Sequence, residues 1–590
     1  MRIEKVEISN WRSIKQQSLF IEDFAILIGQ NNHGKSNILS AILFFFGEIP
    51  LDPLDYHNHC SSLYVEIKFG SLDEDDKVTF KKYLDSEGKI TVRRVAEKGQ
   101  PPTYHGFVKT PVFPWLSEDN VSDYLTRAEA DKLPLKKFLP TSGRITKDIF
   151  QKAQEDYIAE NNDKLSFITK LENSPFLGAK NVAKGIFGEV YFVPSVKKAC
   201  DDFSAKGKTI FSELYSRVIN KMSESNEEFK NAKETIRKLT QILNKNHEDG
   251  SMNKNRPPEL TDLENVIQEE LASWQTTIDV EITPPNLDDI FRVGTNVWVD
   301  DGIRTDINRK GQGLQRALIF ALVKSLAKLT RLEASNSSEE KVSRKASKTS
   351  YFILEEPELF LHPQAQRELF ESLVDLSKVN NQIIVCTHSA AFLSLEYYKS
   401  ITIIRKPSIE VGTTIFQFTQ DLFPDVQQKN IFNMTYWINP DRGELFFSKK
   451  VVLVEGATDK TIIPHLATTL GCFRHDFTLL DCGSKDNIPN YVHLLNCFSI
   501  PYTVVFDKDN QSHKQTDAID LADKVTAKIK GTIDENLGKV VILENDIEEE
   551  IGIPESDKKN KPYVAIAFVK RSEYQIPESL AEKIKEIYAE

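Results

Sequence analysis

The sequence predicts an α/β fold divided into several domains, with a helical insertion inside the first of them. Short apolar strands alternate with apolar helices, as where 26–28 is followed by the helical run 38–46. Between about 145 and 275 the chain instead carries long, charged, helix-forming stretches with few strand signals, which is typical of an insertion in an α/β domain. After Asn439-Pro440-Asp441-Arg442-Gly443 a new series of strands and helices begins.

Length and composition limit the class of protein. A chain of 590 residues is too long for a single core. No apolar run reaches the ~18 residues that a membrane span needs, the N-terminus has no signal-peptide core, and the six cysteines form no Cys-x-x-Cys pair. We therefore expect a cytoplasmic protein with no membrane partner, zinc site or disulfide framework.

The net charge of −12 argues at first against a nucleic-acid partner. A local basic groove can nevertheless coexist with acidic domains in a large protein, and bound metal ions neutralise carboxylates. The net charge therefore does not decide whether DNA is a partner.

A glycine-rich loop follows the strand at 26–28 and precedes the helix at 38–46, with the spacing Gly-x-x-x-x-Gly-Lys-Ser. This context predicts an ATP site, because the glycines let the backbone N–H groups wrap around phosphates. Lys35 would reach the β- and γ-phosphates, and the Ser36 hydroxyl would bind Mg²⁺. The nucleotide-binding residues predicted in this loop are Gly29, Asn32, Gly34, Lys35, Ser36 and Asn37.

Two further strand ends carry groups that an ATP site needs. The strand beginning at Tyr351 ends in Glu355 and Glu356. We expect Glu355 to hold the hydration shell of Mg²⁺ and Glu356 to orient an attacking water. His388 lies at the exit of the next apolar strand, 383–386, where it could contact the γ-phosphate. An isolated histidine after a strand is more often an ordinary surface residue, but its place after the paired glutamates favours a functional role.

A second glycine-containing segment, Lys310-Gly311-Gln312-Gly313-Leu314-Gln315-Arg316, starts an apolar helix. Glycines at a helix N-terminus suit a phosphate, here possibly one bound to a second subunit. The candidate residues are Gly311, Gly313 and Gln315.

These parts together resemble the ABC-type ATPases, in which a signature segment closes on the nucleotide of a partner. The sequence has Gln312-Gly313-Leu314 where the Ser-Gly-Gly core is usual, and Glu355 where an aspartate is usual. The resemblance implies ATP binding and dimerisation, and both departures bear on the rate of hydrolysis.

Acidic residues follow apolar strands near the end of the chain. Glu455 and Gly456 follow the strand 451–454, and Asp459 lies one helical turn later. Asp507 and Asp509 flank Lys508 after 504–506, where strand alternation would place both on one face and let them bind a divalent ion through oxygen. The alternative is that these acids only cap strands of a doubly wound domain. Further candidates are the acids of 544–550 and Lys570, which follows a predicted strand at 564–569.

The ordered set Glu-Gly, Gly and Asp-x-Asp resembles the Toprim pattern. In its whole order the chain resembles an OLD-family (overcoming lysogenisation defect) endonuclease, an ABC-type head followed by a C-terminal Rossmann-like Toprim domain. The residues that carry the resemblance are Asn10-Trp11-Arg12-Ser13, Tyr191-Phe192-Val193-Pro194, Ile353-Leu354-Glu355-Glu356-Pro357-Glu358, Leu361-His362-Pro363, Thr387-His388-Ser389 and 446–456.

The resemblance implies ATP-linked, metal-dependent DNA cleavage, often in anti-phage defence, by a homodimer or higher oligomer. The Gabija nuclease subunit is related, which implies that a helicase-like partner is possible. Two Mg²⁺ or Mn²⁺ ions would be bound by Glu455, Asp459, Asp507, Asp509 and Glu548, with Lys570 at the scissile phosphate. Glu544, Asp546, Glu549 and Glu550 are alternatives to Glu548, and Arg571 is an alternative to Lys570.

The expected domains are 1–155 and 276–438 for the two parts of the ATPase head, 156–275 for the helical dimerisation insertion, and 439–590 for the Toprim domain. The alternative function is that of an SMC-like ATPase scaffold that binds DNA without cutting it. Loss of the acidic set would indicate the scaffold, and the set is present.

Overall fold

The computed structural model describes most of the chain as two compact units. The first contains Met1–Phe192, Lys341–Glu358 and Gln366–Glu590, and the second contains Val193–Glu340 and Leu359–Ala365. The described residues are 1–178, 185–195, 209, 211–212, 214–215, 218–219, 226–246, 251–253, 255–270, 280, 297–336, 349–378, 381–422, 440–508, 516–544, 546–553 and 561–589.

The strands of this described part are numbered in chain order. They are β1 (Arg2–Trp11), β2 (Ile14–Phe20), β3 (Phe24–Ile28), β4 (Ser62–Gly70), β5 (Ile90–Glu97), β6 (Thr103–Pro111), β7 (Phe167–Leu171), β8 (Glu189–Val193), β9 (Trp298–Asp300), β10 (Arg304–Asp306), β11 (Ser350–Glu355), β12 (Asn381–Cys386), β13 (Ile401–Arg405), β14 (Thr414–Gln417), β15 (Lys450–Val454), β16 (Phe477–Asp481), β17 (Tyr502–Asp507) and β18 (Gly538–Leu543).

The helices are numbered in the same way. They are α1 (Lys35–Phe46), α2 (Glu74–Thr79), α3 (Arg127–Ala130), α4 (Lys147–Asn161), α5 (Glu227–Leu243), α6 (Pro258–Glu270), α7 (Gln312–Asn336), α8 (Pro363–Ser377), α9 (Pro440–Gly443), α10 (Ala457–Thr469), α11 (Ile488–Cys497), α12 (Thr516–Thr532), α13 (Ile547–Glu550), α14 (Lys561–Val569) and α15 (Glu578–Ile587). None of these described helices is long and apolar enough to cross a membrane.

The described residues of the first unit form three sheets. An antiparallel sheet has the order β2-β1-β4-β5-β6-β7, and a mixed sheet has the order β14-β13-β3-β12-β11-β8. In the mixed sheet β3 is parallel to both β12 and β13, and β12 is parallel to β11. The carboxyl ends of β3, β11 and β12 therefore meet at one edge, from which the glycine loop, Glu355 and His388 emerge.

Helix α1 explains how the glycine loop is held. Its sequence is apolar nearly all round, and it packs against β1 and β4 of the antiparallel sheet as well as β12 of the mixed sheet. A helix that buries every face in this way has little freedom to move. Its first residue, Lys35, is consequently fixed at the edge of the mixed sheet.

The C-terminal sheet is parallel throughout, in the order β16-β15-β17-β18. The chain passes from β15 to β16 on one side and then to β17 on the other, so the connections diverge between β15 and β17. Ligands of open parallel sheets bind at the carboxyl ends of the strands at such a point. Glu455 follows β15 and Asp507 ends β17, so both lie at this place.

The prediction of a strand at 564–569 is wrong, because these residues belong to helix α14. Ala565 and Val569 are its buried residues, four apart, and the helix packs against α10. A short apolar run is compatible with either a buried strand or a buried helix, and contacts with a distant element decide between them.

The second unit contains the hairpin of β9 and β10 and the helices α5, α6 and α7. Helix α7 begins at Gln312, as the sequence predicts for the segment starting at Lys310. The range 156–275 also contains the strands β7 and β8 beside its helices.

Candidate nucleotide and metal sites

The glycine loop is closed around the side chain of Lys35. This lysine is 5% exposed, and its Nζ donates hydrogen bonds to the carbonyl oxygens of Gly29, at 3.0 Å, and Gln30, at 2.9 Å. Burial lowers the pKa of Lys35, whereas Cys386 and nearby glutamates, including Glu356, act in the opposite direction. The loop therefore surrounds the buried ammonium group of Lys35 at the place where the sequence predicts that phosphates bind.

Two glycines of the loop approach other main-chain and side-chain atoms closely. Gly29 has φ 152°, and a Cβ there would lie 2.1 Å from the carbonyl oxygen of Ile404. Gly34 has φ 101°, and a Cβ there would lie 2.3 Å from Thr413 Oγ1. Both positions therefore require glycine for space as well as for conformation.

Gly29→Ala is expected to destabilise the protein by about 2 kcal/mol, because overpacking against a main-chain carbonyl cannot be relieved by a rotamer change. Gly531→Ala is the matched control: Gly531 lies in α12, a Cβ there would meet nothing within 4 Å, and alanine should stabilise a helix by about 0.5–1 kcal/mol. Thermal unfolding of the two variants measures both effects. Equal melting temperatures for the two would contradict the role assigned to Gly29.

Asn37 and Asn32 occupy different positions in and after the loop. The Asn37 side chain donates to Ser13 Oγ at 2.7 Å and accepts from Arg12 Nη1 at 3.4 Å, so it ties α1 to the β1–β2 turn. Asn32 has φ 62°, a left-handed conformation that asparagine tolerates better than most residues. Ser36 lies in the first turn of α1.

Glu355, Glu356 and His388 lie together at the edge of the mixed sheet. Glu356 has φ 45°, its N–H donates to the Cys386 carbonyl at 2.7 Å, and its Oε1 lies 3.6 Å from His388 Nε2. Burial, with Lys35 nearby, lowers the pKa of His388 to about 4. The histidine is thus neutral at pH 7, and its contact with Glu356 is not an ion pair.

Glu358 was not among the predicted site residues. It is buried, its Oε1 accepts the His388 N–H at 2.6 Å, and burial raises its pKa. It therefore fixes the main chain of the histidine. In the sequence, Glu358 could be noticed only as the third glutamate of Glu355-Glu356-Pro357-Glu358. Its contact with His388 depends on the fold.

The glycine segment at the start of α7 belongs to the second unit. The Gln315 N–H donates to the Gly311 carbonyl at 3.1 Å, and its side chain donates to the Lys310 carbonyl at 2.8 Å. A Cβ at Gly313 would lie 3.0 Å from the carbonyl oxygen of Phe360. These contacts order the helix N-terminus that the sequence predicts as a phosphate site.

Acidic side chains converge at the carboxyl edge of the C-terminal sheet. Glu455 Oε1 accepts the N–H of Asp507 at 2.7 Å, and Asp459 Oδ2 accepts the N–H of Gly456 at 3.1 Å. Burial raises the pKa of Asp459 to about 7, and Glu455, Glu548 and Asp481 add to the increase. Carboxyl groups from four chain segments thus lie within electrostatic range of one another.

Glu548 lies in α13, is 3% exposed, and its Oε1 is 3.5 Å from Nζ of Lys561. Lys570 lies beyond the other end of α14 and is exposed. About nine residues of helix, or about 13 Å along its axis, separate the two lysines. The structure thus shows Lys561, which the sequence analysis did not single out, next to Glu548, and the role of Lys570 stays a prediction. Asp509 lies outside the described residues.

The acids suit a hard divalent cation by their chemistry, since all are oxygen donors. In the part of the chain that the structure describes, however, no group of three or more His, Cys, Asp and Glu side chains is close enough to hold an ion. Glu455 and Asp459 instead accept main-chain N–H groups. A bound ion would therefore require the acidic side chains to move closer together.

Lys485 and Asp481 were also missed. Lys485 is 8% exposed, its Nζ donates to the carbonyl oxygen of Asp507, and it lies 5.2 Å from the ring centroid of Phe506. Asp481 ends β16, and its Oδ1 accepts the Gly483 N–H at 2.7 Å. From the sequence, only the turn after β16 could indicate that these two residues lie near the acids.

Within the first unit, both nucleotide-site loops contact the segment that leads into β15. Gln30 of the glycine loop donates to the Phe447 carbonyl at 3.5 Å. A Cβ at Gly443 would lie 3.0 Å from that of Ala390, two residues after His388. Arg405 Nη1 also donates to the Ser499 carbonyl at 2.6 Å. These contacts join both loops to the C-terminal part of the first unit.

Two family models match the chain. The AAA ATPase domain matches residues 1–393, and the overcoming lysogenization defect protein-like TOPRIM domain matches residues 446–509. The chain therefore contains an AAA ATPase domain followed by a C-terminal TOPRIM domain, in the order that the sequence predicts. These domains imply the use of a nucleotide and of a divalent metal in general terms.

Similar proteins include the Old nuclease of Escherichia phage P2, 26% identical over 78% of this chain and 69% of that protein. The OLD nuclease of Thermus scotoductus is 27% identical over 34% of this chain and 35% of its own length. Endonuclease GajA of Bacillus cereus strain VD045 is 21% identical over 87% of this chain and 76% of its own length. An SMC head bound to the C-winged helix domain of ScpA aligns over 70% of this chain and 97% of that chain, at 14% identity and a TM-score of 0.32, too low to support an argument.

Proposed function

We propose, from the premise that the chain belongs to the AAA ATPase domain family and carries a TOPRIM domain, that it is an ATP-binding, divalent-metal-dependent DNA endonuclease. The observation that carries this proposal is the convergence of Glu455, Asp459, Asp507 and Glu548 at the switch point of the C-terminal sheet. A buried acid whose pKa is raised by burial and by neighbouring acids, as that of Asp459 is, is typical of sites that a cation neutralises. The nuclease names of the relatives support the same activity.

Each side chain has a definite task in this proposal. Glu455 and Asp507 provide carboxylates from adjacent strands, and Asp459 and Glu548 close the site from α10 and α13. Mg²⁺ or Mn²⁺, when bound as a pair, would supply an activated water and stabilise the leaving oxygen. Lys561 is in place to offer its positive charge to a phosphate beside Glu548, and Lys570, which the sequence predicts for this role, follows the other end of α14.

ATP is assigned a regulatory task. Lys35 and the loop from Gly29 to Gly34 bind the phosphates, Glu355 and Glu356 lie at the adjoining strand end, and neutral His388 can donate a hydrogen bond to the γ-phosphate. The contacts of Gln30 and Ala390 with the segment before β15 transmit the state of these loops. We also propose, from the resemblance that the sequence carries, a homodimer acting in anti-phage defence in the cytoplasm, with a helicase-like partner.

The test is cleavage of supercoiled plasmid by the purified chain, with and without Mg²⁺ or Mn²⁺, and with and without ATP. Metal-dependent conversion to nicked or linear DNA, blocked by EDTA, is the expected result. Intact plasmid under every metal condition, despite ATP binding, would instead support the second candidate, an SMC-like ATPase scaffold. That candidate is favoured by the main-chain hydrogen bonds that Glu455 and Asp459 make in place of a grouped site.

We expect the protein to form at least a dimer in solution. The start of α7 with Gly311, Gly313 and Gln315 needs a facing nucleotide, and α5 exposes the apolar residues Leu239 and Ile242. Burial of such a stripe commonly occurs at a symmetric interface. Light scattering at micromolar concentration should give at least twice the 67.3 kDa chain mass, and a monomer throughout would contradict the proposal.

A further inference from the structure

We infer that Lys485 is a positioning residue for the metal centre, which it serves by holding the main chain of Asp507. The inference rests on the proposed nuclease function and names a residue that neither the acidic pattern nor a metal-ligand role would include. The inference is based on the position of the Lys485 ammonium group, which is buried next to Asp507, a proposed metal ligand.

A buried lysine needs partners, because an ammonium group loses its hydration when it is taken out of water. Lys485 lies in the turn after β16, and its Nζ donates to the Asp507 carbonyl, with the Phe506 ring centroid 5.2 Å away. The turn itself is anchored, since Asn487 Nδ2 donates to the Cys482 carbonyl at 2.8 Å. The main chain that carries Lys485 is therefore held in place by this hydrogen bond.

The peptide groups around Asp507 are held on both sides. The Asp507 N–H donates to Glu455 Oε1 at 2.7 Å, and its carbonyl oxygen accepts from Lys485. The next N–H, that of Lys508, donates to the Leu543 carbonyl at 2.9 Å. These three contacts, from β15, the β16 turn and β18, fix the direction in which the Asp507 carboxylate leaves the strand.

Positioning and simple charge have opposite consequences for metal binding. If Lys485 acted only as a positive charge near the acids, its removal would strengthen the binding of a cation. If it positions Asp507, its removal lets the strand end relax and weakens binding. Outer partners that orient metal ligands are typically worth about 10–100-fold in affinity. The sign of the change therefore separates the two roles.

The experiment is Mn²⁺ binding to the full chain and to Lys485→Met, followed by electron paramagnetic resonance and calorimetry. We expect Lys485→Met to bind Mn²⁺ about 10–100-fold more weakly. Lys450→Met is the matched control, because Lys450 is also buried, donates to a main-chain carbonyl, that of Ala589 at 2.8 Å, and lies 5.5 Å from an aromatic ring centroid, that of Phe477, but at the amino end of β15. Its Mn²⁺ affinity should remain close to that of the unchanged chain.

Cleavage provides a second readout. With plasmid substrate, Lys485→Met should need more Mn²⁺ for half-maximal rate and should recover much of the rate at saturating Mn²⁺. Unchanged or tighter Mn²⁺ binding by Lys485→Met overturns the inference. If the methionine variant fails to fold by circular dichroism, Lys485→Gln is used, and the same two results decide.

The failure of this inference can be distinguished from failure of the proposed function. A chain that neither binds Mn²⁺ nor cuts plasmid rejects the nuclease proposal and the inference with it. A chain that does both, while Lys485→Met binds Mn²⁺ as tightly as before, rejects only the positioning role.

Discussion

Replacing Asp507 with alanine is expected to abolish metal-dependent DNA cleavage, with a loss well beyond the about 100-fold typical of groups that only orient metal ligands. The variant loses a carboxylate at the switch point of the C-terminal sheet, so a divalent ion loses a ligand and its bound water is no longer activated. The fold should persist, because the main-chain N–H that Glu455 accepts is kept. Plasmid cleavage with Mg²⁺ or Mn²⁺ measures the effect, and Glu455→Ala should behave similarly.

Asp476→Ala is the matched control for Asp507→Ala. Asp476 belongs to the same domain but precedes β16, at the amino edge of the sheet, where it pairs with Arg474 at 2.8 Å. Its loss should leave cleavage unchanged, since exposed ion pairs contribute little to stability. Full cleavage by both Asp507→Ala and Glu455→Ala would show that the acids at this edge are not the nuclease centre.

Replacing Lys35 with alanine is expected to remove ATP binding at micromolar nucleotide. A hydrogen bond to a charged group contributes about 1.5–3 kcal/mol, so each lost phosphate contact should weaken binding by about tenfold or more. Lys35 also holds the Gly29 and Gln30 carbonyl groups, so the empty loop should loosen. Calorimetric titration with ATP measures the loss, and Lys15→Ala, an exposed lysine of β2, is the control.

The nucleotide loop and the acidic edge could be predicted from the sequence because each is carried by local pattern. Gly29 to Ser36 has its spacing between a strand and a helix, and Glu455 and Asp507 each end an apolar strand. Parallel strands bring their carboxyl ends to one edge, so two such residues distant in sequence meet without further information.

The remainder of the site depends on contacts that no local pattern encodes. Lys485 reaches Asp507 from a turn 22 residues earlier, and Glu358 reaches His388 across 30 residues. The run 564–569 forms a helix in which Ala565 and Val569 are buried, and Lys561 at the start of this helix pairs with Glu548. Periodicity within so short a run could not distinguish these outcomes.

The contacts of Gln30 with Phe447 and of Ala390 with Gly443 provide a physical basis for nucleotide control. They connect the glycine loop and the turn after His388 with the segment before β15. They do not pass through the acidic side chains, which belong to a separate sheet. ATP is therefore expected to change access to the acidic edge rather than to perform the cleavage step.

The most direct test of two separate sites is the rate of plasmid cleavage by Lys35→Ala and by Asp507→Ala, measured side by side with Mn²⁺ and no nucleotide. We predict that Lys35→Ala cuts at a rate comparable to the unchanged chain and no longer responds to added ATP, whereas Asp507→Ala does not cut. If Lys35→Ala is as inactive as Asp507→Ala when no nucleotide is present, ATP binding and cleavage are not separable, and the regulatory role of the nucleotide is wrong.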